Sequence, residues 1–226
     1  MKYIYYLVIL TFTILSCNRK TEKTADYPIV SKKVDNKIKL RKLKKLFVVG
    51  DFDGDGIKDT IFQYNFSQLT KTEIDYAADP FQNDWDAVVK WFYDQDADVN
   101  LTLNKNNIDT LHFGTAQGLY CLINIGDNNA DGKDEIAFVV DCLDFSRVNS
   151  CKIYSLCGNK WMLLKQFGIH EDSFDFTTDE APLFENIKGF LEKKNSNWFY
   201  NDYLQNSYDS EEAVGKMLKL KLDGCK

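Results

Sequence analysis

Apolar residues fall along this chain in short runs separated by polar breaks rich in Gly, Asp and Asn. Leu46-Phe47-Val48-Val49 and Ile61-Phe62-Gln63-Tyr64 flank one such break; Leu122-Ile123-Asn124-Ile125 and Ile136-Ala137-Phe138-Val139-Val140 flank another. Runs this short, rich in β-branched and aromatic residues and bounded by Gly and Asp, predict strands. Residues 99–103 and 108–113, joined by Asn104-Lys105-Asn106-Asn107, predict a hairpin, and 114–118 interrupt the chain before the next strand. Residues 151–156 with 161–167, and 187–192 with 198–203, predict two more. One segment follows a different period. Residues 83–93 carry apolar side chains at 85, 88, 89 and 92, the spacing of an amphipathic helix, with Asn83 or Asp84 to cap it.

The remaining segments are less regular. Ile38, Leu40, Leu43 and Leu46, set among lysines, fit either a first edge strand or a single helical turn. Residues 65–82 are polar and are expected to be irregular, and Glu211-Glu212-Ala213-Val214 in the tail from Ser210 begins a short helix. The 226 residues suit one main domain. The predicted fold is mainly β: antiparallel meanders in one domain over 46–226, with one short helix inserted between two strand–loop–strand units.

The two breaks carry the chemistry. Gly50-Asp51-Phe52-Asp53-Gly54-Asp55-Gly56-Ile57-Lys58-Asp59 and Gly126-Asp127-Asn128-Asn129-Ala130-Asp131-Gly132-Lys133-Asp134-Glu135 share one spacing. Each has an oxygen-bearing side chain at loop positions 1, 3, 5 and 9, and a glycine at position 6. A short loop wraps a hard cation such as Ca²⁺ with side-chain oxygens at this spacing plus a backbone carbonyl at position 7. An EF-hand would close the site with Glu at position 12, where this chain has Phe62 and Phe138.

Strand, Gly-Asp-x-[Asp/Asn]-x-Asp-Gly-x-x-[Asp/Glu], strand resembles the FG-GAP (VCBS-type) calcium repeat of integrin-like β-propeller blades. The resemblance covers about twenty residues at each loop. It implies ligands at Asp51, Asp53, Asp55, the carbonyl of Ile57, and Asp59. In the second loop it implies Asp127, Asn129, Asp131, the carbonyl of Lys133, and Glu135. Asn129 supplies less charge than Asp53, so the second loop is expected to bind more weakly. A closed propeller needs at least four blades; with two recognisable units closure would be cramped, and an incomplete, open arrangement of meanders is expected.

The amino terminus bears on compartment. Lys2 followed by a mostly apolar, uncharged run over 3–15 reads as an export signal (residues 1–16), too short to span a bilayer. Ile14-Leu15-Ser16-Cys17 resembles a bacterial lipobox, which makes Cys17 the expected lipidation site and 17–45 a tether. Residues 19–45 hold eleven Lys/Arg against three Asp/Glu, whereas 46–226 hold sixteen against thirty-one. The acidic body argues against nucleic acid, whose binding rests on neutralising phosphates. The basic strip either rests on anionic headgroups beside a membrane anchor or is a solvated tether. The expected location is the bacterial cell envelope, lipid-anchored and facing the periplasm or the exterior.

Five cysteines follow Cys17, an odd number, and an exported chain can pair them. Cys142 and Cys151 flank a loop between successive predicted strands and are the first choice for a bridge. Trp85, Trp91, Phe92 and Tyr93 are either core or a sugar-stacking platform, with Trp85 and Phe92 on the apolar stripe. His112 and His170 have no catalytic partner in the sequence, and Asp94, Asp96 and Asp98 read as an acidic turn. No nucleophile elbow, zinc-protease motif or phosphate-binding glycine loop is present. The sequence therefore predicts a non-catalytic, calcium-binding envelope lipoprotein with a protein or glycan partner. The alternative is a calcium-dependent hydrolase of surface glycans or lipids, which would need two convergent carboxylates in a cleft outside the loops.

Overall fold

The strand pairs that flank the two Gly/Asp breaks open two separate sheets. The structure, a computed structural model, describes residues 37–174, 182–206 and 216–225. The export run, Cys17, the tether to residue 36 and the expected tail helix lie outside the described residues. In chain order the strands are β1 (Leu40–Lys42), β2 (Phe47–Gly50), β3 (Asp59–Ser67), β4 (Thr72–Glu73), β5 (Tyr76–Ala78) and, after helix α1 (Trp85–Asp94), β6 (Ala97–Leu103). There follow β7 (Leu111–His112), β8 (Ala116–Gly126), β9 (Glu135–Cys142), β10 (Val148–Cys157), β11 (Lys160–His170), β12 (Leu191–Lys194), β13 (Asn197–Tyr200), the short helix α2 (Tyr203–Asn206) and β14 (Leu218–Lys219).

The fold is mainly β and antiparallel, and among the described residues its sheets are open. Strands β2, β3, β6 and β7 form one meander, with β4 added to β3; β8 to β11 form a second meander in sequential order. Each therefore runs strand, acidic loop, strand, then two further strands. Strands β12, β13 and β14 form a third sheet, and β1 pairs with β5.

Side-chain alternation explains the layering. Successive residues of a strand face opposite sides, and in the second sheet both sides are covered. Leu122, Ile136, Phe138 and Leu156 face the first sheet, where Val48, Ile61, Val99, Leu101 and Leu103 meet them. Cys121, Ile123, Ala137, Val139, Cys151 and Ile153 face the other way, toward Leu191, Trp198 and Leu220 of the third sheet. This two-sided burial is why 136–140 is a continuous apolar run instead of an alternating one. The Trp198 indole N–H donates to Ile125 O at 2.6 Å, tying the third sheet to the end of β8.

Helix α1 lies where the apolar spacing predicts, between the two loop-bearing units. Val88 and Phe92 bury against Leu43, Ile74, Ala77 and Ala78 of the β1–β5 region. Asp84 is its N-cap by backbone geometry, but its side chain makes no capping bond. Asn83 instead donates to Lys39 O and Asp79 O, each at 2.8 Å.

Three expectations are corrected. The domain starts before residue 46, because β1 pairs with β5 and Leu43 is buried, so the fold claims the last part of the expected tether. Residues 65–82 are not irregular: β3 runs to Ser67, and β4 and β5 follow. Buried polar residues hid that strand, since the Asn65 amide donates to Gln117 O at 2.8 Å and accepts from Gln63 Nε2 at 2.8 Å. The Cys142–Cys151 bridge does not form. Cys151 registers opposite Val139, which puts Cys142 three residues further along β9, about 10 Å by strand rise and beyond disulfide reach. The bridge is Cys157–Cys225, and Cys121, Cys142 and Cys151 are free thiols.

Candidate metal centre

The two acidic loops share three equivalent hydrogen bonds. At position 1, Asp51 Oδ2 accepts from Gly56 N at 2.9 Å and Asp127 Oδ2 from Gly132 N at 3.0 Å. Position 3 accepts from the N–H of position 5: Asp53 Oδ1 from Asp55 at 3.2 Å and Asn129 Oδ1 from Asp131 at 2.9 Å. Position 5 accepts from position 7: Asp55 Oδ1 from Ile57 at 2.8 Å and Asp131 Oδ1 from Lys133 at 3.0 Å. Gly56 and Gly132 both take the left-handed backbone, with φ of 82° and 85°, that the sharp turn requires.

This winding brings carboxylates together. Oxygens of Asp51, Asp53 and Asp59 all lie within 4.8 Å of one another, as do oxygens of Asp127, Asp131 and Glu135. Both clusters could hold a metal ion. Position 9 is the buried wall in each: Asp59 is 1% exposed and Glu135 is fully buried. Each of these two carboxylates has one oxygen, Asp59 Oδ2 or Glu135 Oε1, buried with no hydrogen-bond partner. A buried oxygen left unmatched carries a desolvation cost that a cation would offset. All side-chain donors are oxygens, a set suited to hard cations and unsuited to thiophilic ones. Burial, with Asp131 and Asp127 adding repulsion, pushes the Glu135 carboxyl up to about 7 although Asn128 N donates to it.

The loops differ in what anchors them. Position 2 of the first is Phe52, fully buried in the core between the first two sheets. Truncating it to Ala is expected to cost about 3–5 kcal/mol. Position 2 of the second is Asn128, whose amide donates to Ile125 O at 2.8 Å and Gly126 O at 2.9 Å. An apolar plug holds one loop, and hydrogen bonds hold the other.

Of the expected ligands, Asp55 stands outside the first three-carboxylate cluster. Its Oδ2 pairs instead with the amine of Lys105 at 2.8 Å, and that amine also reaches Asp53 Oδ2 at 2.5 Å and Asp59 Oδ1 at 2.9 Å. The Lys105 bond holds the Asp55 carboxyl below its ordinary range, and the carboxylates raise the Lys105 amine. The Ile57 side chain points to solvent, 67% exposed. The Lys133 amine turns away to Leu156 O at 2.9 Å, and among the described residues no Lys or Arg pairs with Asp127, Asp131 or Glu135.

Other candidates have quieter roles. His112 Nδ1 lies 2.6 Å from Asp98 Oδ2 across the β6–β7 pair, and His170 Nδ1 accepts from Asp172 N at 3.3 Å. Asp94 pairs with Lys90 on the helix surface, and Asp96 sits at a left-handed position after α1. Phe92 is core and Trp91 packs on it edge-on; Tyr93 is exposed.

Trp85 has a different setting. With Phe81 and the exposed Phe145 it walls a cleft of about 480 Å³ that also takes in Arg41, Tyr120 and Asp141. Arg41 lies over the Phe81 ring, and Trp85 meets Phe145 edge-on at 5.9 Å. Asp141 accepts from Gln117 Nε2 at 3.1 Å. Burial pushes its carboxyl up to about 6, with Tyr120, Arg41 and Gln117 opposing the rise.

Lys105 and Asp134 are site residues that the loop spacing does not reveal. Lys105 is 46 positions beyond Asp59 in a hairpin turn, and only strand pairing brings it to the loop. Asp134 occupies position 8, which carries no ligand in the spacing rule, and its carboxylate reaches the other loop. Set against protein-family models, curated proteins and solved structures, the chain matches none of them.

Proposed function

We propose that this chain is a non-catalytic, calcium-stabilised lipoprotein of the bacterial cell envelope, and that its cleft binds a glycan. The observation that carries the metal part is the pair of matched loops, each ending in a buried carboxylate with an oxygen that lacks a partner. Calcium is the preferred ion because the side-chain donors are all oxygens, and extracellular calcium is abundant enough for weak sites of about 10⁻⁴ to 10⁻³ M. Its role is structural: where it binds, it pins the turn that joins the first two strands of a meander. The likeness of the loops to FG-GAP repeats, the export run and the lipobox-like Cys17 support the envelope location. The Cys157–Cys225 bridge fits an oxidising compartment.

The partner reading rests on the cleft. Aromatic faces beside an amide, a guanidinium and a carboxylate suit sugar rings, which offer apolar C–H faces and a rim of hydroxyls. The test is binding of purified envelope polysaccharides to the parent, Trp85→Ala and Phe145→Ala, in calcium and in chelator. Saturable binding lost in both variants supports the reading. No binding to any glycan, or binding indifferent to both substitutions, overturns it.

One observation favours the hydrolase alternative. Asp141 is a carboxyl with a raised pKa in a cleft, close enough to Asp144 to feel its charge. Glycan cleavage abolished by Asp141→Asn would establish that reading. Binding without turnover would exclude it.

A further inference from the structure

The first loop already holds a cation of its own. The ammonium group of Lys105 has three N–H donors, and three carboxylates meet it: Asp53 at 2.5 Å, Asp55 at 2.8 Å and Asp59 at 2.9 Å. This is not a loose surface pair. The Lys105 side chain is 28% exposed, Asp53 is 23% and Asp59 is 2%.

The position of Lys105 is also built in. Its neighbour Asn104 is clamped to the strand that leaves the loop: Thr60 N donates to Asn104 Oδ1 at 2.8 Å, and Asn104 N donates to Thr60 O at 3.0 Å. Thr60 directly follows Asp59, so the hairpin turn that carries Lys105 is fastened one residue from the deepest carboxylate. With Phe52 plugged into the core, the first loop is held in shape without help from solution. The second loop has neither device. Its position 2 is polar, its own lysine is bonded elsewhere, and among the described residues Glu135 meets no ammonium group, whereas Asp59 meets Lys105 through Oδ1.

We infer that Lys105 is the resident counter-ion of the first loop. The chain then takes one divalent cation, at Asp127, Asn129, Asp131 and Glu135, and the first loop accepts a second only when the Lys105 amine is removed. This deepens the proposed function and rests on its reading of the second loop as a metal site. It reverses the order of affinity that loop composition alone implies. The physical reason is that a tethered amine loses no translational freedom on binding, so it competes at high effective concentration against a dissolved ion whose site is weak.

The test is calcium titration by calorimetry on the purified chain, Lys105→Met, Lys105→Arg, Asp131→Ala and the Lys105→Met/Asp131→Ala double variant. The expected stoichiometries are one ion for the parent and Lys105→Arg, two for Lys105→Met, none for Asp131→Ala and one for the double variant. Melting in chelator checks folding: Lys105→Met should melt lower than the parent there, and calcium should raise its melting temperature by more than it raises the parent's, which loss of a purely structural contact would not do. Two ions in the parent, or one ion in both the parent and Lys105→Met, overturns the inference and leaves the second-loop reading intact. No ion in the parent with one in Lys105→Met sinks the second-loop reading and upholds the role of Lys105. No ion in any protein overturns both.

Discussion

Asp134 Oδ2 accepts a hydrogen bond from Asp51 N at 3.1 Å, and Asp134 N donates back to Asp51 O at 2.8 Å. One loop is thereby stitched to position 1 of the other. The same Oδ2 accepts from Asn124 Nδ2 at 2.9 Å, and Asn124 Nδ2 also donates to Val49 O at 3.0 Å. Gly50 is small because it must be: a Cβ there would lie 2.4 Å from Asn124 Nδ2 and 2.5 Å from Asp134 Oδ2. Asp134→Ala leaves the Asp51 N–H and part of the Asn124 amide without an acceptor. The expected loss is about 2–3 kcal/mol, the scale for hydrogen bonds to a charged group. Urea denaturation measures it, and Asp134→Asn, which keeps an acceptor oxygen, should lose clearly less.

A second prediction concerns position 4 of the loops. The first loop has Gly54 there with φ of 79°, whereas the second has Ala130 with φ of 61°. An alanine held in the left-handed region carries strain of about 1 kcal/mol that glycine avoids. Ala130→Gly should therefore stabilise the protein by roughly 0.5–1 kcal/mol, less the extra freedom glycine gains in the unfolded chain. Equilibrium unfolding in chelator reads the change directly. A destabilisation of similar size would show that the backbone there relaxes when the side chain is present.

Most of the architecture was legible because burial and strand period agree. Ile136, Ala137, Phe138 and Val139 read as a strand and are one, and Val88 and Phe92 read as a helix face and are buried on one. The segment from Asn65 to Ala78 was misread because its inward side chains, Asn65 and Ser67, are polar and satisfied by distant carbonyls that no local window contains. The loops announced themselves through spacing within ten residues. Lys105 and Asp134 did not, since each acts through a partner at least 46 positions away that only sheet register brings close. The same holds for the disulfide: Cys225 is 68 residues from Cys157, and nothing near either cysteine in the sequence points to the other.

That bridge leads to a third prediction. Closing a loop of 68 residues restrains the unfolded chain by about 4 kcal/mol in the entropic picture. It also fastens the C-terminal segment, whose Leu220 N donates to Trp198 O at 2.8 Å, to the turn between β10 and β11. Cys225→Ser should lower stability by up to about that amount and make unfolding insensitive to reductant. The parent, in contrast, should lose stability when reduced. Thiol counting under denaturing conditions should give one pair fewer free thiols in the oxidised parent than in the reduced one.

The last prediction is a pH dependence centred on the cleft. Burial raises the Asp141 carboxyl from an ordinary value of 3.8 to about 6, against the opposing pull of Tyr120, Arg41 and Gln117. The folded state therefore holds this proton more tightly than the unfolded chain does. The resulting stability is fully present below pH 3.8 and is lost as pH rises through about 6. Asp141→Asn keeps an oxygen to accept from Gln117 and cannot ionise, so it should lack this loss. Its stability relative to the parent should improve between about pH 4 and pH 7 by up to about 3 kcal/mol, one pKa unit being about 1.4 kcal/mol. Urea denaturation of both proteins at the two pH values, in chelator and constant salt, gives the comparison. A difference that does not change with pH would mean that the cleft leaves Asp141 as readily ionised as in water, and the case for its acting as an acid there would lapse.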